Sequence, residues 1–468
     1  MSKLKYLKED FFIYGLGTIF SKGISFLSIP IFTRIFLPYE FGELEILLII
    51  GAVYYSILNI GLDSSLSFFY ISNDSFSSKD DVLKNIFQIT VTWGLISSSF
   101  FILVCLFFYK NFELNSIILV ITIFFLEFLS SNFLNVFRLE GESRKYIIYQ
   151  TFQQSSGVIL SLIFIFFIEK NIIYILYGRL ISILITALIL AYKKLNFKEL
   201  VYYDLNKIKI ILMFGLPLIP NSLISVIFNY TDRVFISNLL GETDLGIYSV
   251  GSKFANLNLL VTSAFSLTIL PLILKSLKEN DLDFINYIRD NYFKYSEMIV
   301  IFIASTSSLI IPMIFGADFK DSYLIISSYS LYLYYYSAYI MVSLGIWKFK
   351  KTKMTLYTTI MSFLLNFIFS YFLILFFGNI GASFGTLLAT TFWLILNAFL
   401  SEKLFRTNLN LLSFSTNRVI AITSIVLILF LEKEIIDDLF FFTFCSICMG
   451  INFFKSRFIN EIKTNNTQ

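Results

Sequence analysis

FFIYGLGTIFSKGISFLSIPIFTRIF, residues 11–36, carries only two charges, Lys22 near its middle and Arg34 near its end. It exceeds the roughly 20 apolar residues that a helix needs to cross a bilayer. Lys3, Lys5 and Lys8 precede it. The run is too long for a signal-peptide core and shows no small-residue cleavage site, so it reads as a retained helix. The same pattern recurs along the chain. Further spans are expected at about 42–62, 85–108, 115–137, 147–168, 172–192, 210–238, 245–271, 292–315, 323–344, 355–377, 380–400, 415–431 and 438–454.

Basic residues alternate with those spans. Cytoplasmic loops of membrane proteins are rich in Lys and Arg. Of the 36 Lys and Arg, 27 fall in every second gap, beginning with the amino-terminal segment. The opposite gaps hold five, and Lys22, Arg179, Arg233 and Lys253 lie inside spans. The split places both termini on the cytoplasmic side of the membrane. The expected fold class is an all-α integral membrane protein with about 14 transmembrane helices. Composition agrees: 57% of the 468 residues are hydrophobic and 15% charged, and mean hydropathy is +0.77. A soluble chain is about a quarter charged. Fourteen spans leave no loop of domain size.

Cys105, Cys445 and Cys448 lie in apolar spans, and histidine is absent. Cys445 and Cys448 form C-x-x-C, but no second Cys pair or His completes a metal site. The cysteines read as small buried hydrophobes. Without histidine there is no His-based nucleophile activation or His proton relay.

The two sides of the basic segment 193–209 resemble each other. Gly15-Leu16 and Thr33-Arg34-Ile35-Phe36 frame the first span, with Glu40-Phe41-Gly42 after it. Gly215-Leu216 and Asp232-Arg233-Val234-Phe235 frame the seventh, with Asp244-Leu245-Gly246 after it. Proline interrupts both, at Pro30 and at Pro217 and Pro220. Repeated halves with interrupted helices at matching places point to alternating-access transport. Six spans separate the copies, so the repeat runs parallel. The expected organisation is a six-helix lobe over 1–192, a cytoplasmic linker over 193–209, a second six-helix lobe over 210–400, and a helix pair with a tail over 401–468. The two lobes would be pseudo-symmetric around a central cavity.

A charge at the bilayer centre costs about 2.5–3.5 kcal/mol on insertion scales. Lys22, Arg179 and Lys253 would therefore cost roughly 8–10 kcal/mol together if they faced lipid. Polar neighbours share their helix faces: Thr18 and Ser25, Ser182 and Thr186, Ser249 and Asn256. Other polar stripes are Gln150, Gln153, Gln154, Gly157 and Ser161 on span five, Asn221, Ser225 and Asp232 on span seven, Thr355, Thr359, Ser362, Asn366 and Ser370 on span eleven, and Ser383, Thr386, Thr390 and Asn397 on span twelve. Each stripe fits either helix–helix hydrogen bonding or the wall of a wet, net-positive cavity. Glu127 on span four reads as a counter-ion to a cavity cation or as a proton or sodium coupling site. The tyrosines of span ten, Tyr329 to Tyr339, read as packing or as faces for sugars.

Residues 33–42, TRIFLPYEFG, resemble the first-helix signature of bacterial polysaccharide-export flippases. So do Phe214-Gly215-Leu216-Pro217-Leu218-Ile219-Pro220, Tyr230-Thr231-Asp232-Arg233 and Leu245-Gly246-Ile247-Tyr248-Ser249-Val250-Gly251. These belong to the multidrug/oligosaccharidyl-lipid/polysaccharide (MOP) exporter superfamily, and the branch most like this chain is the Wzx type. After Gly61-Leu62-Asp63 this chain has Ser64-Ser65-Leu66-Ser67 where relatives are expected to carry a basic residue. The resemblance therefore carries no anion contact there. It implies a flippase, not an enzyme, that moves an undecaprenyl-pyrophosphate-linked O-antigen or capsule repeat unit to the outer leaflet. Its partners would be that lipid-linked oligosaccharide, membrane lipids, and a glycan polymerase with a chain-length regulator. No cofactor, metal or nucleic acid is implied. Lys22, Arg179 and Lys253 would bind the pyrophosphate and glycan, with Arg34 and Arg233 near the outer gate. Only those last two arginines belong to the family-like motifs. Asp232 would pair with a basic residue and hold the gate. Alternatives from the same superfamily are a drug exporter, which should have an acidic cavity, and a peptidoglycan-precursor flippase. A membrane glycan polymerase should show a large external catalytic loop, and this chain has none.

Overall fold

The computed structural model describes residues 17, 20, 21, 23–72, 76, 78–109, 112–195, 203–259, 262, 272, 273, 275–277 and 279–407. Lys22, Cys445, Cys448 and the two expected spans after residue 408 lie outside the described residues. All described secondary structure is helical. In chain order the helices are α1 Gly23–Thr33, α2 Pro38–Asn59, α3 Leu62–Ser72, α4 Lys79–Phe108, α5 Leu114–Leu139, α6 Ser143–Phe167, α7 Ile173–Lys194, α8 Leu205–Gly215, α9 Ile219–Leu239, α10 Glu242–Ala255, α11 Leu282–Ile314, α12 Tyr323–Val342, α13 Leu344–Lys348 and α14 Thr352–Leu404. Among the described residues, seven of these are long and apolar enough to cross a membrane. The α8–α9 pair adds an eighth, bent by 44°. That bend follows from Pro217 and Pro220, which remove two backbone donors; a 3-10 turn, Leu216–Leu218, fills the gap. The longest helix, α14, breaks at Gly378 (φ 56°, ψ −137°) into two arms. They correspond to expected spans eleven and twelve. Helix α3 lies where the hydropathy pattern gave only a loop.

The helices form two compact units. The first runs from Glu43 to Tyr230 with the described residues up to Phe36. The second runs from Thr231 onward with Leu37–Gly42. The division falls after Tyr230, whereas the sequence pattern puts it at the basic segment 193–209. The reason is local packing of α8 on α3. A Cβ on Gly61 would meet the Gly215 carbonyl oxygen at 2.3 Å, and Gly61 sits at φ +77°. Ser65 Oγ donates to the carbonyls of Gly61 (3.0 Å) and Ile211 (3.2 Å). Phe214 stacks on Phe68 with centroids 4.8 Å apart. Lys207 of α8 pairs with Asp81 of α4 at 2.6 Å. The Phe214-Gly215 motif thus serves close helix packing, and Ser65 is a fully buried part of it.

In the second unit, polar stripes on the two arms of α14 meet each other. Ser362 Oγ donates to the Ala389 carbonyl (2.7 Å), Asn366 Nδ2 to Thr386 Oγ1 (3.2 Å), and Thr358 Oγ1 to Asn397 Oδ1 (3.1 Å). Ser383 of the same helix bonds Ser328 of α12 at 2.6 Å. All eight residues are buried. For these stripes helix–helix bonding is the outcome. The α12 tyrosines are mostly packing groups too. Tyr329, Tyr332 and Tyr334 are buried, Tyr334 donates to Glu297 Oε1 at 3.0 Å, and Tyr336 and Tyr339 stack on Trp393.

The second unit also brings together the closing motifs of the two repeat copies, Glu40-Phe41-Gly42 and Asp244-Leu245-Gly246. A Cβ on Gly42 would lie 1.9 Å from the Glu242 carbonyl oxygen. A Cβ on Gly246 would lie 1.8 Å from the Pro38 carbonyl oxygen. Each glycine meets the residue four places before the other, so the contact is reciprocal, as in a two-fold interface. Only glycine allows backbones this close. Gly246→Ala or Gly42→Ala should destabilise by about 1–3 kcal/mol or more through overpacking. Gly23→Ala, with nothing within 4 Å of the added carbon, should be neutral. Detergent-solubilised thermal unfolding of the three variants measures the difference.

Candidate functional site: a polar cavity in the first unit

Within the first unit, α1, α5, α6 and α7 enclose a cavity of about 120 Å³. Helical spacing explains its lining. Ser25, Ser28 and Phe32 lie along one face of α1. Gln153, Gln154, Gly157 and Ser161 form a stripe on α6, and Arg179 is flanked by Ile175 and Ile183 on α7. Glu127 enters from α5. Arg179 Nη2 donates to Glu127 Oε2 at 2.5 Å, and the two side chains keep 33% and 26% of their exposure. The guanidinium also lies over the Phe124 ring, 4.9 Å from its centroid. The pair draws on charge assistance and cation–π attraction together. Ser25 Oγ donates to Gln154 Oε1 at 3.0 Å, which ties α1 to α6.

The face predicted for Arg179 is corrected in one respect. Ser182 and Thr186 turn away from the cavity and are buried. Ser182 Oγ donates to the Gln153 carbonyl at 2.5 Å and bonds Ser156 Oγ at 2.6 Å. Thr186 Oγ1 donates back to the Ser182 carbonyl. The Ser182 hydroxyl fastens α7 to α6, Thr186 caps a carbonyl of its own helix, and the i±4 neighbours of Arg179 that line the cavity are apolar. Glu127 takes the counter-ion role. Among the described residues that line the cavity, Arg179 and Glu127 are the charged ones, and they cancel.

In the second unit, Asp232 and Arg233 of α9 are both buried. Tyr248 of α10 donates its hydroxyl to Asp232 Oδ2, and the Arg233 backbone N–H donates to Asp232 Oδ1 at 2.8 Å. Arg233 Nη2 donates to Ser252 Oγ at 3.1 Å and to Tyr329 Oη at 3.4 Å. This network binds α9, α10 and α12 together. Arg34, the repeat counterpart of Arg233, is exposed. Lys253 on α10 is half-buried, with Ser249 below it bonded to the Gly246 carbonyl. Two cavity residues that matter most, Gln153 and Gln154, were visible in sequence only as part of a stripe. Arg289 gave no sequence signal. It is buried on α11 and donates to Thr407 Oγ1 (2.8 Å) and Asn286 Oδ1 (2.6 Å).

Comparison with known proteins fits this architecture. Residues 7–277 match the family model described as polysaccharide biosynthesis protein. A protein of the Haemophilus influenzae Lsg locus is 32% identical over 119 residues, which span 25% of this chain and 29% of that relative. The fold is similar to that of the lipid II flippase MurJ in an inward closed conformation, with TM-score 0.71 and 18% identity over 96% of this chain and 99% of that one. It is also similar to an inward-facing multidrug resistance MATE family transporter of the MOP superfamily, with TM-score 0.57 and 15% identity over 87% and 95%. A MOP superfamily transporter from Pyrococcus furiosus gives TM-score 0.56 and 14% identity over 86% and 96%. A multi-pass helical membrane protein with the fold of the MOP exporters, this chain belongs to the polysaccharide biosynthesis protein family.

Proposed function

We propose that the protein is a flippase for a polyprenyl-diphosphate-linked oligosaccharide, an O-antigen or capsule repeat unit, working by alternating access in the bacterial inner membrane. The carrying observation is the polar cavity of the first unit, where a guanidinium, a carboxylate and two glutamine amides meet inside a membrane-embedded helix bundle. Moving sugar hydroxyls through hydrocarbon costs several kcal/mol for each unpaired group. The polyprenyl tail gains about 0.8 kcal/mol per buried CH₂, so it stays in lipid. Only the head needs a protein route. Membership of a polysaccharide biosynthesis family supports a glycan as that head. Lys22, Arg34 and Lys253 are the cations offered to the diphosphate. Arg233 ties helices together, and Arg179 is shared with Glu127. Both termini are cytoplasmic in this reading, and the flipped unit passes to a glycan polymerase and its chain-length regulator.

Each charge-assisted contact to a phosphate is worth about 1.5–3 kcal/mol. Replacing Lys22, Arg34 or Lys253 with alanine should therefore cut surface glycan roughly tenfold or more, with the protein still in the membrane. Glycan gels and immunoblots of membrane fractions measure both; normal glycan in all three variants defeats the reading. Water access is tested separately. A cysteine at Ser25 should react with an aqueous thiol reagent, and one at Ser182, which is 1% exposed, should react at least about tenfold more slowly.

A further inference from the structure

The cavity of the first unit holds an unspent set of hydrogen-bonding groups. Gln153 is 8% exposed and lines it. Its side-chain amide makes no hydrogen bond to a described residue; only its backbone carbonyl is engaged, by Ser182. Gln154 uses Oε1 for Ser25 and keeps its NH₂ group. The ion pair occupies Nη2 of Arg179 and Oε2 of Glu127, leaving the other donors of the guanidinium and Glu127 Oε1. Buried amides normally find partners. The remaining groups are donors and acceptors side by side.

That mixture selects a ligand. An ionised diphosphate only accepts hydrogen bonds, and here it would sit beside the Glu127 carboxylate, where like charges repel. A sugar hydroxyl both donates and accepts. One ring can give a hydrogen to Glu127 Oε1 or Gln153 Oε1 while taking hydrogens from Arg179 and the glutamine NH₂ groups. Size agrees. The space of about 120 Å³ is smaller than the cavity of about 150 Å³ that takes benzene, but it is open on one side, so it holds part of one ring and no more. Phe32 and Val158 supply an apolar wall for the ring's C–H face.

We propose that this cavity is a monosaccharide subsite, which takes one neutral sugar ring of the cargo through Arg179, Glu127, Gln153 and Gln154 while the diphosphate is held elsewhere. The proposal rests on the flippase reading and specifies which part of the cargo goes where.

The test uses the full-length protein in lipid nanodiscs. It is titrated with farnesyl diphosphate and with farnesyl-diphosphate-linked glucose, galactose, N-acetylglucosamine and N-acetylgalactosamine. At least one glycosylated probe should bind roughly tenfold more tightly than farnesyl diphosphate, as a few added hydrogen bonds provide. Gln153→Leu should abolish that gain and leave the affinity for farnesyl diphosphate intact, which also reports a folded variant. Gln154→Leu is the second variant and should reduce the gain. Equal binding of all probes, or a gain that survives Gln153→Leu, overturns the proposal. So does tighter binding of farnesyl diphosphate by Glu127→Gln, because it would place the diphosphate on Arg179. If no probe binds at all, farnesyl diphosphate included, the flippase reading itself falls with it.

Discussion

In hydrocarbon an amide or hydroxyl must find its hydrogen-bond partner within the protein, since no water is there to supply one. That constraint sorts almost every polar side chain of this chain's helices. Many hydroxyls donate back to their own helix, and others hold segments together: Ser362 on Ala389, Asn366 on Thr386, Ser182 on Gln153, Ser65 on Ile211. Interhelical bonds of this kind average about 0.6 kcal/mol each in membranes. Their number therefore matters more than any one of them. In the cavity of the first unit the polar groups border an open space rather than a neighbouring helix.

Close backbone contact is the second means of cohesion. Without a hydrophobic force between helices, small residues let van der Waals packing act at short range. The Gly42–Gly246 contact does this at the start of α2 and α10. It also gives the internal repeat a physical purpose. Two copies of one motif, Glu-Phe-Gly and Asp-Leu-Gly, are self-complementary, so a single ancestral surface could serve both sides. The asymmetry beside it is equally informative. Arg233 is drawn into a buried network by Ser252 and Tyr329, whereas Arg34 stays exposed. Duplicate motifs have kept one geometry and divided their tasks.

Much of the fold was legible in the sequence because hydropathy and charge report on lipid, and lipid contact dominates the length and spacing of the helices. The described helices coincide with the expected spans from 42–62 to 380–400 within a few residues at most ends. What the pattern missed has specific causes. Helix α3 is short, and its serines and Asp63 lower its hydropathy, so it passed for a loop. The break between α8 and α9 was signalled by Pro217 and Pro220. The attachment of α8 to α3 was not, because it depends on Gly61 and Phe68, nearly 150 residues away in sequence. Of the site, Arg179 and Glu127 were found from the cost of burying charge. Their pairing was not predictable: it needs α5 and α7 to be neighbours. Periodicity also could not tell which side of α7 faced the cavity. It grouped Arg179 with Ser182, whose hydroxyl serves α6, and Thr186, whose hydroxyl bonds its own helix.

The neutrality of the Arg179–Glu127 pair bears on what a carrier can do with it. A lone arginine in a low-dielectric cavity would hold any anion strongly, and a cargo held strongly is released slowly. A guanidinium already satisfied on one edge offers weaker, shape-dependent bonds through its other donors. The carboxylate adds selectivity by repelling anions and welcoming hydroxyl donors. In the proposed sugar subsite the ion pair leaves Arg179 and Glu127 partnered with each other before any ring binds. Phe124 steadies the arginine from the other side, so the empty cavity does not collapse onto an unpaired charge. A carrier needs a balance of affinity and release, and one acid placed 2.5 Å from one base would give the proposed subsite that balance.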